Sequence, residues 1–166
     1  TIVSGFGQIL VPTIDQPLGT VNAVVKDTTR NVYYLGGSFT TTGMYSPYGI
    51  VWDTLKKNVD TRFAYPNGTV FAAVPDKNGG WYIGGNFDKI GKESRNRLAH
   101  IDSTGKLLPN FSKKEQTLNA QVNALAYRND TLFVGGNFTS MGYYSPYMAL
   151  YDTLNKRPDT SSAINY

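Results

Sequence analysis

Three copies of one residue pattern run along the chain, and this repetition limits the possible folds more than any other feature does. Tyr33-Tyr34-Leu35-Gly36-Gly37-Ser38-Phe39 matches Trp81-Tyr82-Ile83-Gly84-Gly85-Asn86-Phe87, and both match Leu132-Phe133-Val134-Gly135-Gly136-Asn137-Phe138. Upstream of each stands a second shared element: Val21-Asn22-Ala23-Val24, Val70-Phe71-Ala72-Ala73 and Val122-Asn123-Ala124-Leu125. Downstream lie Gly43, Gly91 and Gly142, and then apolar runs that close on aspartate at Asp53, Asp102 and Asp152. A unit of about 50 residues with short apolar runs cannot bury its own hydrophobic face, so copies must stack on one another.

Each unit offers short apolar strands separated by turn chemistry, as at Lys26-Asp27-Thr28, Pro75-Asp76-Lys77-Asn78-Gly79 and Arg128-Asn129-Asp130. The second strand is nearly continuous apolar rather than alternating, which predicts that both its faces are covered. A weaker fourth strand is expected around Val59 to Phe63, Lys106 to Phe111 and Arg157 to Ala163. The fold expected is therefore all-β: β-propeller blades, three consecutive four-stranded units forming part of a larger propeller. The units span residues 18–66, 67–117 and 118–166, and residues 1–17 read as the tail of a preceding blade, because Gly7-Gln8-Ile9-Leu10-Val11-Pro12 resembles Gly105-Lys106-Leu107-Leu108-Pro109. Three blades fall short of the four to eight of closed propellers, so the array is expected to be completed by remaining blades of the same chain or by a partner chain.

The pairs Gly36-Gly37, Gly84-Gly85 and Gly135-Gly136 are expected to supply positive φ and close approach where a buried strand enters a sharp bend. Phe39, Phe87 and Phe138, two residues beyond, are expected to fill the gap between blades. With these residues on the page, a family likeness follows. The string of two apolar residues, Gly-Gly, Asn or Ser, and Phe, with Arg97-Leu98-Ala99-His100-Ile101-Asp102-Ser103-Thr104-Gly105-Lys106 and the closing Phe111, resembles the delta-60 repeat propellers of bacterial secreted and surface proteins. It is also similar to fungal cortical polarity-marker propellers and, more distantly, to kelch repeats. The resemblance implies a non-enzymatic module of an exported multidomain protein, secreted or at the cell surface, outer-membrane associated, with a structural or adhesive role. Copper oxidases of the kelch type need Tyr, His and Cys ligands, whereas this chain has one His and no Cys.

Composition agrees with strands and tight turns, with 12 Tyr, 8 Phe, 17 Gly and 8 Pro. The net charge of +4 is spread along the chain, with nothing denser than Lys56-Lys57 and Lys113-Lys114, and no nucleic-acid-reading pattern accompanies it. Neither nucleic-acid binding nor direct membrane insertion is expected, since no apolar run has the length of a span.

No catalytic residue, metal site or cofactor is expected. His100 has no second His, and reads as a core imidazole satisfied by a neighbour. Asp53, Asp102 and Asp152 repeat at strand ends as turn caps. Asp76-Lys77-Asn78-Gly79 imitates the start of a calcium loop without its later carboxylates. Sequons start at Asn67, Asn110, Asn129 and Asn137, and Asp-Thr-apolar triplets at Asp53, Asp130 and Asp152 imitate a bacterial O-glycosylation sequence, although turns also favour these residues. The strongest surface candidate is one rim, where the connections between second and third strands carry Tyr45 and Tyr48, Arg95 and Arg97, and Tyr143, Tyr144 and Tyr147. Tyr and Arg offer rigid area with polar tips, suited to protein or glycan. Local packing around Pro47 and Pro146 is the simpler account of the tyrosines, because repeated loops inherit such residues without any ligand. Two functions are therefore carried forward: a structural or binding module, and part of a propeller hydrolase or lyase whose catalytic residues lie in other blades.

Overall fold

The computed structural model describes residues 18–27, 30–40, 47–108 and 118–160. Among them there is no α-helix, and the strands form antiparallel sheets in chain order. The first sheet contains β1 (Leu18–Asp27), β2 (Val32–Thr40), β3 (Gly49–Asp53) and β4 (Asn58–Val59). The second contains β5 (Thr69–Pro75), β6 (Trp81–Asn86) and β9 (Leu98–Ile101), with a separate two-stranded ribbon of β7 (Lys89–Ile90) and β8 (Glu93–Ser94). The third contains β10 (Val122–Arg128), β11 (Thr131–Gly136), β12 (Met148–Asp152) and β13 (Arg157–Pro158).

The expected four strands per unit are thus incomplete in the middle unit, where the fourth is reduced to a bridge between Ile101 and Leu107. The other two fourth strands are only two residues long. Proline is not the cause, since Asn58–Val59 contains none and beyond Pro158 the amide of Asp159 still donates to the Leu150 carbonyl at 2.8 Å, as that of Asp60 does to Val51 at 2.8 Å. The ribbon β7–β8 was not anticipated, and its alternating charges are exposed except for Ile90, which turns into the core. The expectations for residues 1–17 and for Phe111 lie outside the described residues.

Register makes the repetition physical. Val21, Val70 and Val122 pair with Gly37, Gly85 and Gly136, while Ala23, Ala72 and Ala124 pair with Gly36, Gly84 and Gly135. A bulge therefore recurs at Asn22, Phe71 and Asn123, the same place in each unit. Side chains opposite one another across a ladder share a face. Val25, Tyr34 and Val51 accordingly form one face of the first sheet, and pack against Trp81, Ile83, Ala99 and Ile101 of the second. Tyr82 and Leu98, on the other face of the second sheet, pack against Val122, Leu132, Val134, Ala149 and Tyr151 of the third. The middle sheet is covered on both sides, which is why Trp81, Tyr82, Ile83 and Gly84 are all buried.

The third sheet departs from the expectation that every second strand is covered on both faces. Leu132 and Val134 are buried, but Phe133 between them is 39% exposed, because no further sheet lies on that side among the described residues.

The glycine pairs differ from the expected role. None of the six takes positive φ. Close approach requires five of them, in two different ways. A side chain on Gly37, Gly85 or Gly136 would strike the backbone carbonyl of Thr20, Thr69 or Gln121 within its own sheet. A side chain on Gly36 would stand 2.6 Å from Val70 Cγ1, and one on Gly84 would stand 2.5 Å from Val122 Cγ1, both in the next sheet. In the first two pairs the first glycine is thus a notch that receives a valine from the following unit, whereas a side chain on Gly135 would meet nothing nearer than Ala124 Cβ at 3.7 Å among the described residues.

Phe39, Phe87 and Phe138 are buried in three successive clusters, Phe87 between the first and second sheets and Phe138 between the second and third. At the hairpin end of the sheets, Arg30 joins the first two. It donates to the Asp27 carboxylate at 2.6 Å and to the carbonyl oxygens of Ser103 and Gly79, and its guanidinium lies 5.1 Å from the Trp81 ring. The aspartates that close the third strands are turn caps. Asp53 accepts from the amides of Leu55 and Lys56, Asp102 from those of Thr104 and Lys106, and Asp152 from those of Leu154 and Asn155.

Two predictions follow from this packing. Replacing Phe87 with Ala should destabilise the chain by about 3 to 5 kcal/mol, as a buried aromatic leaves a cavity between two sheets that cannot close. Chemical denaturation measures this, and a loss below about 1 kcal/mol would remove Phe87 from the core.

The second concerns acid. The amide of Lys56 lowers the pKa of Asp53, and that of Asn155 lowers the pKa of Asp152. Desolvation acts against Asp102, but hydrogen bonds from Thr104 and Lys106 outweigh it and leave its pKa lowered too. A depressed folded pKa means that the unfolded chain binds more protons, so this stabilisation is full above the unfolded value of about 3.9 and is lost as pH falls through the folded values. The denaturation midpoint should hold from pH 7 to about 5 and drop below about pH 4. In Asp102→Asn, which keeps an acceptor that does not titrate, the drop should be smaller. A midpoint unchanged at about pH 3 would contradict the capping account.

Candidate functional site

The rim opposite the hairpin turns is built by one backbone device used three times. Tyr48, Arg97 and Tyr147, each immediately before the third strand, have φ of 70°, 64° and 67°. The amide of each donates to the carbonyl of the unit's phenylalanine: Tyr48 to Phe39 at 3.1 Å, Arg97 to Phe87 at 2.9 Å and Tyr147 to Phe138 at 2.8 Å. Their carbonyls accept from the second glycine of each pair, Gly37, Gly85 and Gly136, at 2.9, 3.0 and 3.0 Å. The left-handed residue thus closes the loop against the glycine strand, and brings three side chains to equivalent places on successive sheets. The positive φ expected at the glycine pair sits here instead. Glycine is the least strained residue for such a backbone, and Asn or Asp the next. In this chain the three positions hold Tyr, Arg and Tyr.

The other rim candidates divide. Tyr144 and Tyr147 are 65% and 69% exposed, and Tyr48 and Arg97 are half-buried. Tyr143 is half-buried, with its hydroxyl donating to the carbonyl of Asp159 at 3.0 Å, and so ties its loop to the strand-end segment. Arg95 is tucked in, donating to the carbonyls of Ser94 at 2.6 Å and Leu108 at 3.4 Å. Tyr45 lies outside the described residues. The loop stems are fixed locally, since the buried Ser145 amide donates to the Thr139 carbonyl at 2.9 Å.

Beside Arg97 an open cleft of about 190 Å³ is lined by Asn67, Asn86, Phe87, Asp88 and Arg97. Phe87 is itself buried, so the accessible lining is mainly polar: two amides, a carboxylate and a guanidinium. The Nε of Arg97 is buried without a hydrogen-bond partner, a costly arrangement for a group that always carries charge. Asn67 holds the cleft together. Its Oδ1 accepts from the amides of Asp88 at 3.1 Å and Lys89 at 2.9 Å, and its Nδ2 donates to Asp88 Oδ1 at 2.7 Å. Asn119 makes the same latch in the third unit, accepting from Thr139 and Ser140 and donating to Thr139 Oγ1 at 2.8 Å. Sequence reasoning marked Asn67 only as a sequon and passed over Asn86, Asp88 and Asn119. The signal was present in the spacing, since Asn67 and Asn119 each stand three residues before the valine that enters the glycine notch.

The remaining polar candidates are engaged in structure. His100 Nε2 lies 2.8 Å from Asp76 Oδ2, and its ring stacks 4.1 Å from Tyr82 between the second and third sheets. The other carboxylate oxygen of Asp76 accepts from the amides of Asn78 and Gly80. Burial opposes the charge on Asp76, but these bonds, led by the one from His100, outweigh it and lower its pKa. The pair holds the Asp76–Gly80 turn against β9. Among the described residues no three of His, Asp and Glu gather as metal ligands would. The amide of Asn123 donates to Asn137 Oδ1 at 2.9 Å, Asn129 sits in a turn at φ 48°, and Asn110 lies outside the described residues. The hydroxyls of Thr54 and Thr153 donate to the carbonyls of Asn31 and Asp130, closing the turns at the hairpin end.

The rim therefore presents hydrogen-bonding groups of both charges, exposed tyrosine rings and a small polar cleft, on loops joined to the sheets by backbone hydrogen bonds. Compared with known proteins, the chain matches no protein-family model and no curated protein.

Proposed function

We propose that this chain is an extracellular or cell-surface β-propeller segment that works by association rather than turnover, with the rim of Tyr48, Arg97 and Tyr147 as its contact surface and glycan as its favoured ligand. The observation that carries the reading is the choice of side chains at the three left-handed positions. The fold needs the backbone bend there but has no need of tyrosine or arginine, and strain accepted at equivalent surface positions is a mark of selection for something other than stability. The cleft favours glycan over a flat protein contact, because Arg97, Asp88, Asn67 and Asn86 offer paired donors and acceptors for adjacent hydroxyls. Its volume of about 190 Å³ is below the roughly 300 Å³ at which drug-sized pockets begin, leaving room for a single ring. The exposed ring of Tyr147, and that of Tyr144 beside it in sequence, supply apolar area of the kind that sugar faces meet. The secreted or surface setting rests on the resemblance to delta-60 repeat propellers and on no side chain of the site.

Glycine substitutions separate function from folding here. Arg97→Gly should leave stability unchanged within about 1 kcal/mol or raise it, since glycine relieves the positive φ. The same substitution should weaken binding to glycans selected on an array by at least about tenfold in calorimetry, equivalent to about 1.4 kcal/mol. Tyr147→Gly should behave alike. If both variants bind every selected glycan as the parent chain does, or if no glycan is selected, the rim assignment fails. If Arg97→Gly unfolds the chain, the side chain is structural.

A further inference from the structure

Threonine stands between aspartate and leucine at three places: Asp53-Thr54-Leu55, Asp130-Thr131-Leu132 and Asp152-Thr153-Leu154. The structure separates the middle one from the other two. The first and last triplets leave β3 and β12 and open equivalent turns at the hairpin end of their sheets. Each turn accounts for two residues of its triplet. The aspartate caps the amides that follow it, and the threonine amide donates to a carbonyl across the turn, Thr54 to Asn31 at 3.0 Å and Thr153 to Asp130 at 2.9 Å. The leucine has no such duty, since Leu55 is 74% exposed and Leu154 72%. A single exposed leucine is ordinary on a protein surface. Here it recurs at the same place behind the same two residues, and the second sheet shows that the fold does not require it. Its turn at that place runs Asp102-Ser103-Thr104, capped in the same way and without an aliphatic residue. Thr131, by contrast, begins β11, and Leu132 after it is completely buried in the core.

We propose that Thr54 and Thr153 are sites of O-glycosylation and that Thr131 is not. A transferase that selects aspartate, a hydroxyl residue and an aliphatic side chain meets an accessible leucine only at the first and last of the three triplets. The hydroxyls there can be given up without harm to the turn. Each donates to a carbonyl, Thr54 to Asn31 at 2.6 Å and Thr153 to Asp130 at 2.7 Å, but the amide of the same threonine already satisfies that oxygen. In the transfer, the threonine Oγ1 bonds to the anomeric carbon of a phosphate-activated sugar. The bond from that carbon to the phosphate oxygen breaks, the phosphate departs with the electron pair, and the hydroxyl proton passes to a base of the transferase. Both threonines lie at the hairpin end, opposite the rim of Arg97, so the inference stands apart from ligand binding at that rim.

Mass spectrometry of the chain purified from its own organism tests this, with electron-transfer fragmentation to keep each sugar on its residue. The expected result is glycan on Thr54 and Thr153 and none on Thr131. Leu55→Gln and Leu154→Gln keep the hydroxyls and the caps, and each should abolish the glycan on the threonine before it. In chain made without glycan, both substitutions should leave the denaturation midpoint unchanged, so that loss of glycan is not loss of fold. Thr54→Ser should retain the modification, because the hydroxyl and its two neighbours remain. A chain unmodified at Thr54 and Thr153 overturns the inference. So does glycan on Thr131, which would mean that the exposed turn selects nothing, or glycan that persists in both leucine variants, which would mean that the leucine is not read.

Discussion

Everything in this structure depends on a valine entering a space left by a missing side chain. At Gly36 and Gly84 the next unit's valine comes within reach of the backbone, and a single methyl group on either glycine would occupy its place. Close-packed interiors do not stretch to admit such a group, so the notch sets the distance and rotation between sheets. Once that spacing is fixed, Tyr34 meets Trp81, Tyr82 meets Tyr127, and Arg30 reaches the carbonyls of Ser103 and Gly79. The bulge at Asn22, Phe71 and Asn123 belongs to the same device. It breaks the ladder beside the glycine pair and places the valine at the mouth of the notch rather than along the strand.

The rim follows from the same glycine pair. Its second member is pressed against a carbonyl of its own sheet, while its amide takes the carbonyl of the left-handed residue across the loop. The loop between second and third strands is therefore closed by backbone alone, and the side chains of Tyr48, Arg97 and Tyr147 are released from any packing duty in that closure. Packing positions and rim positions are thus separated along the chain by a few residues. At Gly36 and Gly84 the first glycine faces a neighbouring sheet, while the residue before the third strand lies at the rim, half-buried at Tyr48 and Arg97 and exposed at Tyr147.

Much of this was legible in the sequence because three copies printed the pattern three times. The positions of β2, β6 and β11, the turn-capping aspartates and the burial of the phenylalanines all follow from residues that recur at matching places. The glycine pair was legible as a constraint but its cause was not, since close approach by a valine from another unit and positive φ leave the same residue in a sequence. The fourth strands were overread, because in the first and third units each follows directly on an aspartate-capped turn and pairs over only two residues, which hydrophobic content does not report. The cleft at Arg97 was invisible because Asn67 comes from the connection before β5 and Asp88 from the one after β6, joined only when the Asn67 amide bridges them beside Asn86 at the end of β6. Tyr143 and Arg95 read like Tyr147 and Arg97 in composition, yet their polar ends are spent on the carbonyls of Asp159, Ser94 and Leu108.

The central claim is that notch and plug hold neighbouring sheets together, and a double-mutant cycle at Gly84 and Val122 measures it most directly. Gly84→Ala alone should destabilise the chain by about 1 to 3 kcal/mol through overpacking. Adding Val122→Ala should recover part of that loss, so that the two substitutions together cost less than their sum by more than about 1 kcal/mol. Additive effects within about 0.5 kcal/mol, or a Gly84→Ala variant as stable as the parent, would contradict the account.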